Sequence, residues 1–408
     1  MILIRVVQAL SNKRYMRLIL FIIAFSFSVC INAQKKEISQ AQTYIKSGKD
    51  FDKAEQLMQT LLQKQDNRNN MKIYITLFES VRKQYEQNNE NLFLRQKADT
   101  ASLFTNCYKM FCIVESMDTL DAKPDKKGRV SPKYRKRNAE YLDPYRLNLF
   151  YGGAYYIRHQ QYRTAFDFFK KYIDCATSPF FTGYNYLEKD KHIPEAAYWT
   201  TFCGYKMNDA DRTLQYKDLA LKDSTVLSFT LQYMAEAYLM KKDTTNYLST
   251  LKVGFGFNPQ FQFFFPRLID YYTTTNQLDS AMAITDKALA VNDSNIVFRF
   301  AKSSILLNEG KYKESIDLSD SIIAKDDSLA DAYFNAGTAY LNMALTLEES
   351  SRPRKKDINN AYKKARTYIE RYRLLAPDEK DKWAPALYRI YLKLNMGKQF
   401  DEIDKLMH

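Results

Sequence analysis

The chain is 408 residues long, 46% hydrophobic and 14% aromatic, with a formal net charge of +14. Such a composition excludes a disordered polyelectrolyte and a collagen-like chain, and five cysteines are too few for a disulfide-dense scaffold. With only 11 glycines and 10 prolines there is little to interrupt helices, and length alone would predict two or three domains unless the chain grows as a one-dimensional array.

Residues 1–33 read as a signal peptide. Lys13, Arg14 and Arg17 precede an apolar run from Leu18 to Val29, and small or polar residues follow through Ala33 and Gln34. The expected fate is export to the periplasm or the medium, with cleavage after Ala33; Met16 is a plausible start. Two other readings are an uncleaved membrane anchor, for which the run is shorter than the ~20 residues a span needs, and a lipoprotein at Cys30, to which Val29 is a poor fit. Cleavage would remove four bases and no acids, taking the charge from +14 to +10.

Residues 34–120 predict degenerate helical hairpins. Ile38, Ala41 and Ile45 share one helix face and Phe51, Ala54, Met58 and Leu61 the next. From Met71 the helices lengthen, with Tyr74, Leu77, Phe78 and Val81 on one and Leu103, Phe104, Tyr108 and Phe111 on another. Residues 121–140 predict a basic linker, broken by Pro124, Gly128 and Pro132. Its Lys126, Lys127, Arg129, Lys133, Arg135, Lys136 and Arg137 are candidate contacts for an acidic ligand or lipid headgroup; the alternative is a solvated connector.

From residue 141 to 408 the pattern predicts a solenoid with a C-terminal capping helix. Leu149, Gly152, Gly153 and Tyr156, then Tyr162, Ala165, Phe169 and Tyr172, form one hairpin. An aromatic insertion at Ser178–Ile193 follows, whose Phe180, Phe181, Tyr184 and Tyr186 either pin the loop or offer a ligand platform. Of the cysteines after residue 33, Cys107 and Cys112 are too far apart on one helix to bridge, while Cys175 and Cys203 could be neighbours or simply buried small hydrophobes.

At Ser228 the pattern becomes regular. Blocks beginning at Ser228, Gln262, Ile296 and Ala330 superimpose at 34 residues without a gap. First helices read Leu231, Met234, Ala235 and Tyr238, then Phe265, Leu268, Ile269 and Tyr272, then Tyr333, Ala336, Gly337 and Tyr340. The third block departs, with Arg299 and Lys302 where its neighbours are apolar. Small residues on the first helix (Ala235, Ser303, Gly337) and the second (Ala281, Ser315) allow close crossing. Asp293-Ser294 and Asp327-Ser328 are the expected N-caps. Beyond Asn342, extra residues predict a long or kinked hairpin.

Taken together, "ADAYFNAGTAY" at Ala330–Tyr340 and "NQLDSAMAITDKALAVNDSN" at Asn276–Asn295 resemble the two helices of a tetratricopeptide (TPR) repeat. The resemblance implies an all-α fold, a right-handed helical-hairpin solenoid or TPR-like superhelix, whose concave face is lined by fixed first-helix positions. Transferred to this chain, these positions give Phe229, Tyr233, Glu236, Phe263, Arg267, Asp270, Phe300, Phe334, Asn335 and Thr338 as the partner-binding residues. The lysines that grip a terminal carboxylate in chaperone-binding members are missing, so acidic tails are not implied. No catalytic constellation, metal-ligand spacing or cofactor motif is legible in the three scattered histidines or elsewhere. The expected function is a non-enzymatic scaffold of the cell envelope for a protein or peptide, with a carbohydrate- or lipid-binding component of an uptake or assembly system as the alternative. Neither nucleic acid nor any cofactor is expected, and the oligomeric state is not legible.

Overall fold

The structure, a computed structural model, describes residues 34–352 and 354–407. The expected leader, with Cys30 and the cleavage position, lies outside them. Among the described residues every regular element is helical and there is no strand. The fold is an all-α helical repeat, and no described helix is long and apolar enough to cross a membrane. Contacts divide the chain into two units that part between Tyr233 and Met234.

The first unit contains α1 (34–46), α2 (Phe51–Gln63), α3 (Met71–Phe93), α4 (Thr100–Asp121), α5 (Arg135–Leu142), α6 (Leu147–Arg158), α7 (Tyr162–Asp174), α8 (Tyr186–Lys189), α9 (His192–Lys206), α10 (Ala210–Leu214) and α11 (Lys217–Ala220). Helix α12 (Leu227–Met240) runs across the boundary. The second unit continues with α13 (Thr244–Phe257), α14 (Phe264–Thr274), α15 (Leu278–Val291), α16 (Ile296–Asn308), α17 (Tyr312–Ile323), α18 (Ala330–Glu348), α19 (Lys355–Leu375), α20 (Lys380–Lys393) and α21 (Gly397–Met407).

The period is written most strictly in the turns. Asn208, Lys242, Asn276 and Gly310 have φ of 52°, 57°, 55° and 77°, and they stand 34 residues apart. One residue later, the N–H groups of Asp209, Asp243, Gln277 and Lys311 donate to the carbonyls of Gly204, Tyr238, Tyr272 and Leu306 at 3.0, 2.9, 2.7 and 2.9 Å. A left-handed residue closed by a bond reaching back five positions satisfies a carbonyl that the helix end leaves unpaired. The next helix then begins at Ala210, Thr244, Leu278 and Tyr312 in the same register.

Between the turns, helices cross on small residues. Ala235, Ala281, Ser303 and Ser315 are fully buried. At the α16–α17 crossing the Ser303 hydroxyl lies 2.7 Å from that of Ser319, and Ser315 Oγ donates to the Ser303 carbonyl at 2.9 Å. Three serines thus tie two helices together without a buried unpaired hydroxyl. Gly254, which costs helix propensity, has a packing reason: a Cβ there would come 2.3 Å from the Phe264 ring.

Three expectations need adjustment. The N-cap of α16 is Asn295, which accepts from the N–H groups of Val297 and Phe298 at 2.9 and 3.3 Å, and not Asp293-Ser294. Likewise α18 starts after Leu329, while Ser328 donates to Asp326 from both N–H and hydroxyl. The end of the basic linker is helical, because Tyr134 N–H is held by Asp121 at 2.9 Å and Arg135 by Asp118, which seats α5 against the end of α4. The long hairpin expected after Asn342 is present, with α18 and α19 of 19 and 21 residues.

Candidate interaction surface

In the second unit the first helices touch in series through the positions that the repeat pattern selects. Arg267 on α14 donates to Glu236 on α12 at 3.2 Å, and its guanidinium lies 3.7 Å over the ring of Phe263. Phe265 and Phe298 join α14 to α16 edge to face, with ring centroids 4.6 Å apart. Asn335 on α18 donates to Ser304 on α16 at 2.8 Å. The outcome is a continuous surface built from consecutive first helices.

Solvent access sorts the candidate residues into two groups. Phe263 and Asn335 are buried, so they hold the surface together and do not offer themselves to a partner. Glu236, Arg267, Phe300, Phe334 and Thr338 are half-buried, while Asp270 is exposed. Val297 and Asp331, on neighbouring first-helix positions, are exposed as well. Phe334 rests on Tyr372 at 4.9 Å, leaving part of its ring open. Of the two candidates in the first unit, Phe229 is exposed and Tyr233 is buried, stacked 4.6 Å from Tyr205. Glu236 neutralises Arg267, and the open carboxylates are Asp270 and Asp331. The surface therefore combines apolar rings with negative charge.

The other candidate region is the basic linker. Lys126, Lys127, Arg129, Lys133, Lys136 and Arg137 are exposed. Arg129 is bound to Asp125 at 2.9 Å and Arg135 to both carboxylate oxygens of Asp118 at 2.8 Å, so part of this charge is already neutralised. Pro132, Arg135, Lys136 and Ala139 face Pro179, Phe180, Thr182 and Tyr184 of the aromatic insertion across a recess of about 340 Å³.

The insertion is pinned by a residue that the periodicity does not reveal. Arg146, buried in the first unit, lies between the rings of Tyr172 and Tyr186 at 3.9 and 4.0 Å. It pairs with Asp190 at 2.5 Å and donates to the Tyr172 carbonyl at 3.0 Å. Burial would raise the Asp190 pKa, but the Tyr172 hydroxyl and Arg146 outweigh it and hold the carboxyl below its ordinary value. Phe180 and Phe181 are buried, so two of the four insertion aromatics are core. Cys107, Cys112, Cys175 and Cys203 are all free; burial pushes the thiols of Cys175 and Cys203 up to about 12, which makes them inert space-fillers. Among the described residues no group of His, Cys, Asp and Glu could hold a metal ion.

No protein-family model matches the sequence, and no curated protein matches it. Solved structures do. The C-terminal part of a TPR repeat-containing protein from Cytophaga hutchinsonii is 11% identical, with a TM-score of 0.44 over 63% of this chain and 93% of that one. YrrB, described as a TPR protein with an unusual peptide-binding site, is 19% identical, with a TM-score of 0.35 over 47% of this chain and 91% of its own. A TPR repeats protein from Bacteroides fragilis NCTC 9343 is 16% identical, with a TM-score of 0.30 over 64% and 98%.

Proposed function

We propose that this chain is a non-enzymatic TPR scaffold of the cell envelope that holds a protein or peptide partner on the first-helix face of its second unit. The observation that carries the reading is the seam of side chains linking consecutive first helices, Arg267 to Glu236 and Asn335 to Ser304. Polar positions there are spent on stitching helices together, while Val297, Phe300 and Phe334 keep apolar surface open between them. A segment with apolar side chains and at least one base suits that surface, since Asp270 and Asp331 stand exposed beside the rings. Envelope context follows from the leader-like order of charge and apolar residues before Gln34.

The test is site-specific photo-crosslinking in envelope extract. A crosslinker at Val297 should capture one partner reproducibly, whereas one at Val253, equally exposed but on second helix α13, should not. Equal capture at both positions, or capture at neither, contradicts the assignment.

A further inference from the structure

Helices α3 and α4 have 23 and 22 residues, whereas α2, α6 and α7 have 13, 12 and 13. At 1.5 Å per residue the excess is about 14 Å of helix. The joining end of this hairpin carries it. Within residues 89–98 no described side chain has a hydrogen bond, ion pair or ring contact to another part of the unit, and Asn88 reaches only Ser102 of the same hairpin. On this overhang Leu92, Phe93 and Leu94 are 50%, 85% and 53% exposed. The end is nonetheless well defined: Arg95 adopts φ 54°, its N–H donates to the Leu92 carbonyl at 3.1 Å, and the N–H of Gln96 reaches Asn91 at 2.8 Å. A helix stop closed in this way presents three adjacent apolar side chains on a hydrogen-bonded tip.

Charge surrounds the tip. Arg95 and Lys97 follow it directly. The α1–α2 turn shares a recess with Gln84, Gln87 and Asn88, bringing Lys46 and Lys49 to this end of the unit. The end of α6 lies beside the start of α4, with Phe104 and Tyr155 at 5.6 Å and the hydroxyls of Thr105 and Tyr156 at 2.9 Å, which adds Arg158. None of these five bases has an ion pair among the described residues. Of the acids here, Asp50 is paired with Lys53 at 2.9 Å and Asp99 caps α4 through the Ser102 N–H at 3.0 Å; Asp52 and Glu90 are exposed.

We infer that this tip is a wedge that enters the interface of a bilayer rich in anionic phospholipid. A convex apolar tip needs a pocket of matching shape to bind a protein, whereas a fluid bilayer accepts it without one, with bases at headgroup level. The basic linker leaves the far end of α4, about 30 Å away along the helix, so the two are separate surfaces.

The experiment uses the full chain carrying Phe93→Trp, with the wild-type chain, which has Trp199 and Trp383, as baseline and Val291→Trp on the second unit as control. Vesicles of phosphatidylcholine with or without phosphatidylglycerol carry brominated acyl chains. On the anionic vesicles the Phe93→Trp signal should shift to the blue and lose roughly half its added intensity by quenching, while Val291→Trp stays unchanged; raising the salt to 1 M should weaken the effect. An unaltered Phe93→Trp signal overturns the inference and points to a protein pocket as the occupant. Equal quenching at Val291, or equal quenching without phosphatidylglycerol, overturns it too. Because Phe93 is so exposed, the substitution leaves the fold intact.

Discussion

Between Asn208 and Gly310 the chain makes four turns at one spacing, each closed by the same backbone bond. Between Met71 and Ile193 it uses helices of 4 to 23 residues, joined by loops of unlike length. The regular stretch gets its geometry from repeated backbone conformations and small residues at crossings. In the irregular stretch a few unique side chains do that work: Arg146 between two tyrosines, and Arg135 on Asp118. Redundancy spreads stability in the first case, and individual contacts concentrate it in the second. A substitution should therefore hurt most where nothing is repeated.

The largest effect is expected at Arg146. Replacement by alanine leaves the mostly covered Asp190 carboxylate without its counter-charge and should cost about 3–5 kcal/mol in urea unfolding; a loss below about 1 kcal/mol would erase the contrast between the stretches. Its partner gives the pH dependence. The folded-state pKa of Asp190 is depressed, so its contribution is fully present above the unfolded pKa near 4 and is lost as pH falls through the lower folded value. Asp190→Asn should cost about 1–3 kcal/mol at neutral pH and flatten that acid limb in pH-dependent melts.

Smaller effects separate kinds of packing. A Cβ at Gly204 would lie 2.4 Å from the backbone nitrogen of Thr213, whereas one at Gly337 would meet the movable end of Ile369 at 2.6 Å. Gly204→Ala should cost about 1–3 kcal/mol and Gly337→Ala clearly less, because a side-chain end can yield and a backbone cannot. The smallest change is a gain: Lys242→Gly relieves a side chain held at φ 57° and should raise stability by a few tenths to about 1 kcal/mol, read as a higher Tm. No gain there would mean that the turns do not share the conformation that makes them equivalent.

The sequence displays the regular stretch well because 34-residue spacing recurs in apolar and small residues, the features that burial and helix crossing select. It hides the turn register, since asparagine, lysine and glycine occupy equivalent left-handed positions and share no common side-chain property. It also misplaces the caps: Asp293-Ser294 and Asp327-Ser328 look like N-caps, but the N-cap positions are Asn295 and Leu329, one or two residues later. For the candidate surface, first-helix spacing identifies which residues lie along the seam without saying which remain open. Phe263 and Asp270 both read as surface, yet one is covered by Arg267 and the other is exposed. Arg146 and the Leu92–Leu94 tip belong to no period, and only their packing shows them.

The most direct measurement is an excision. Deleting residues 277–310 joins Asn276 to Lys311, two residues that stand in consecutive positions of the same turn register. Circular dichroism and urea unfolding of this variant should show the helicity per residue of the parent and a cooperative transition, while a control lacking 277–306 should lose both. A collapsed or non-cooperative 34-residue deletion, or two deletions that behave alike, would contradict a chain organised by one repeating turn.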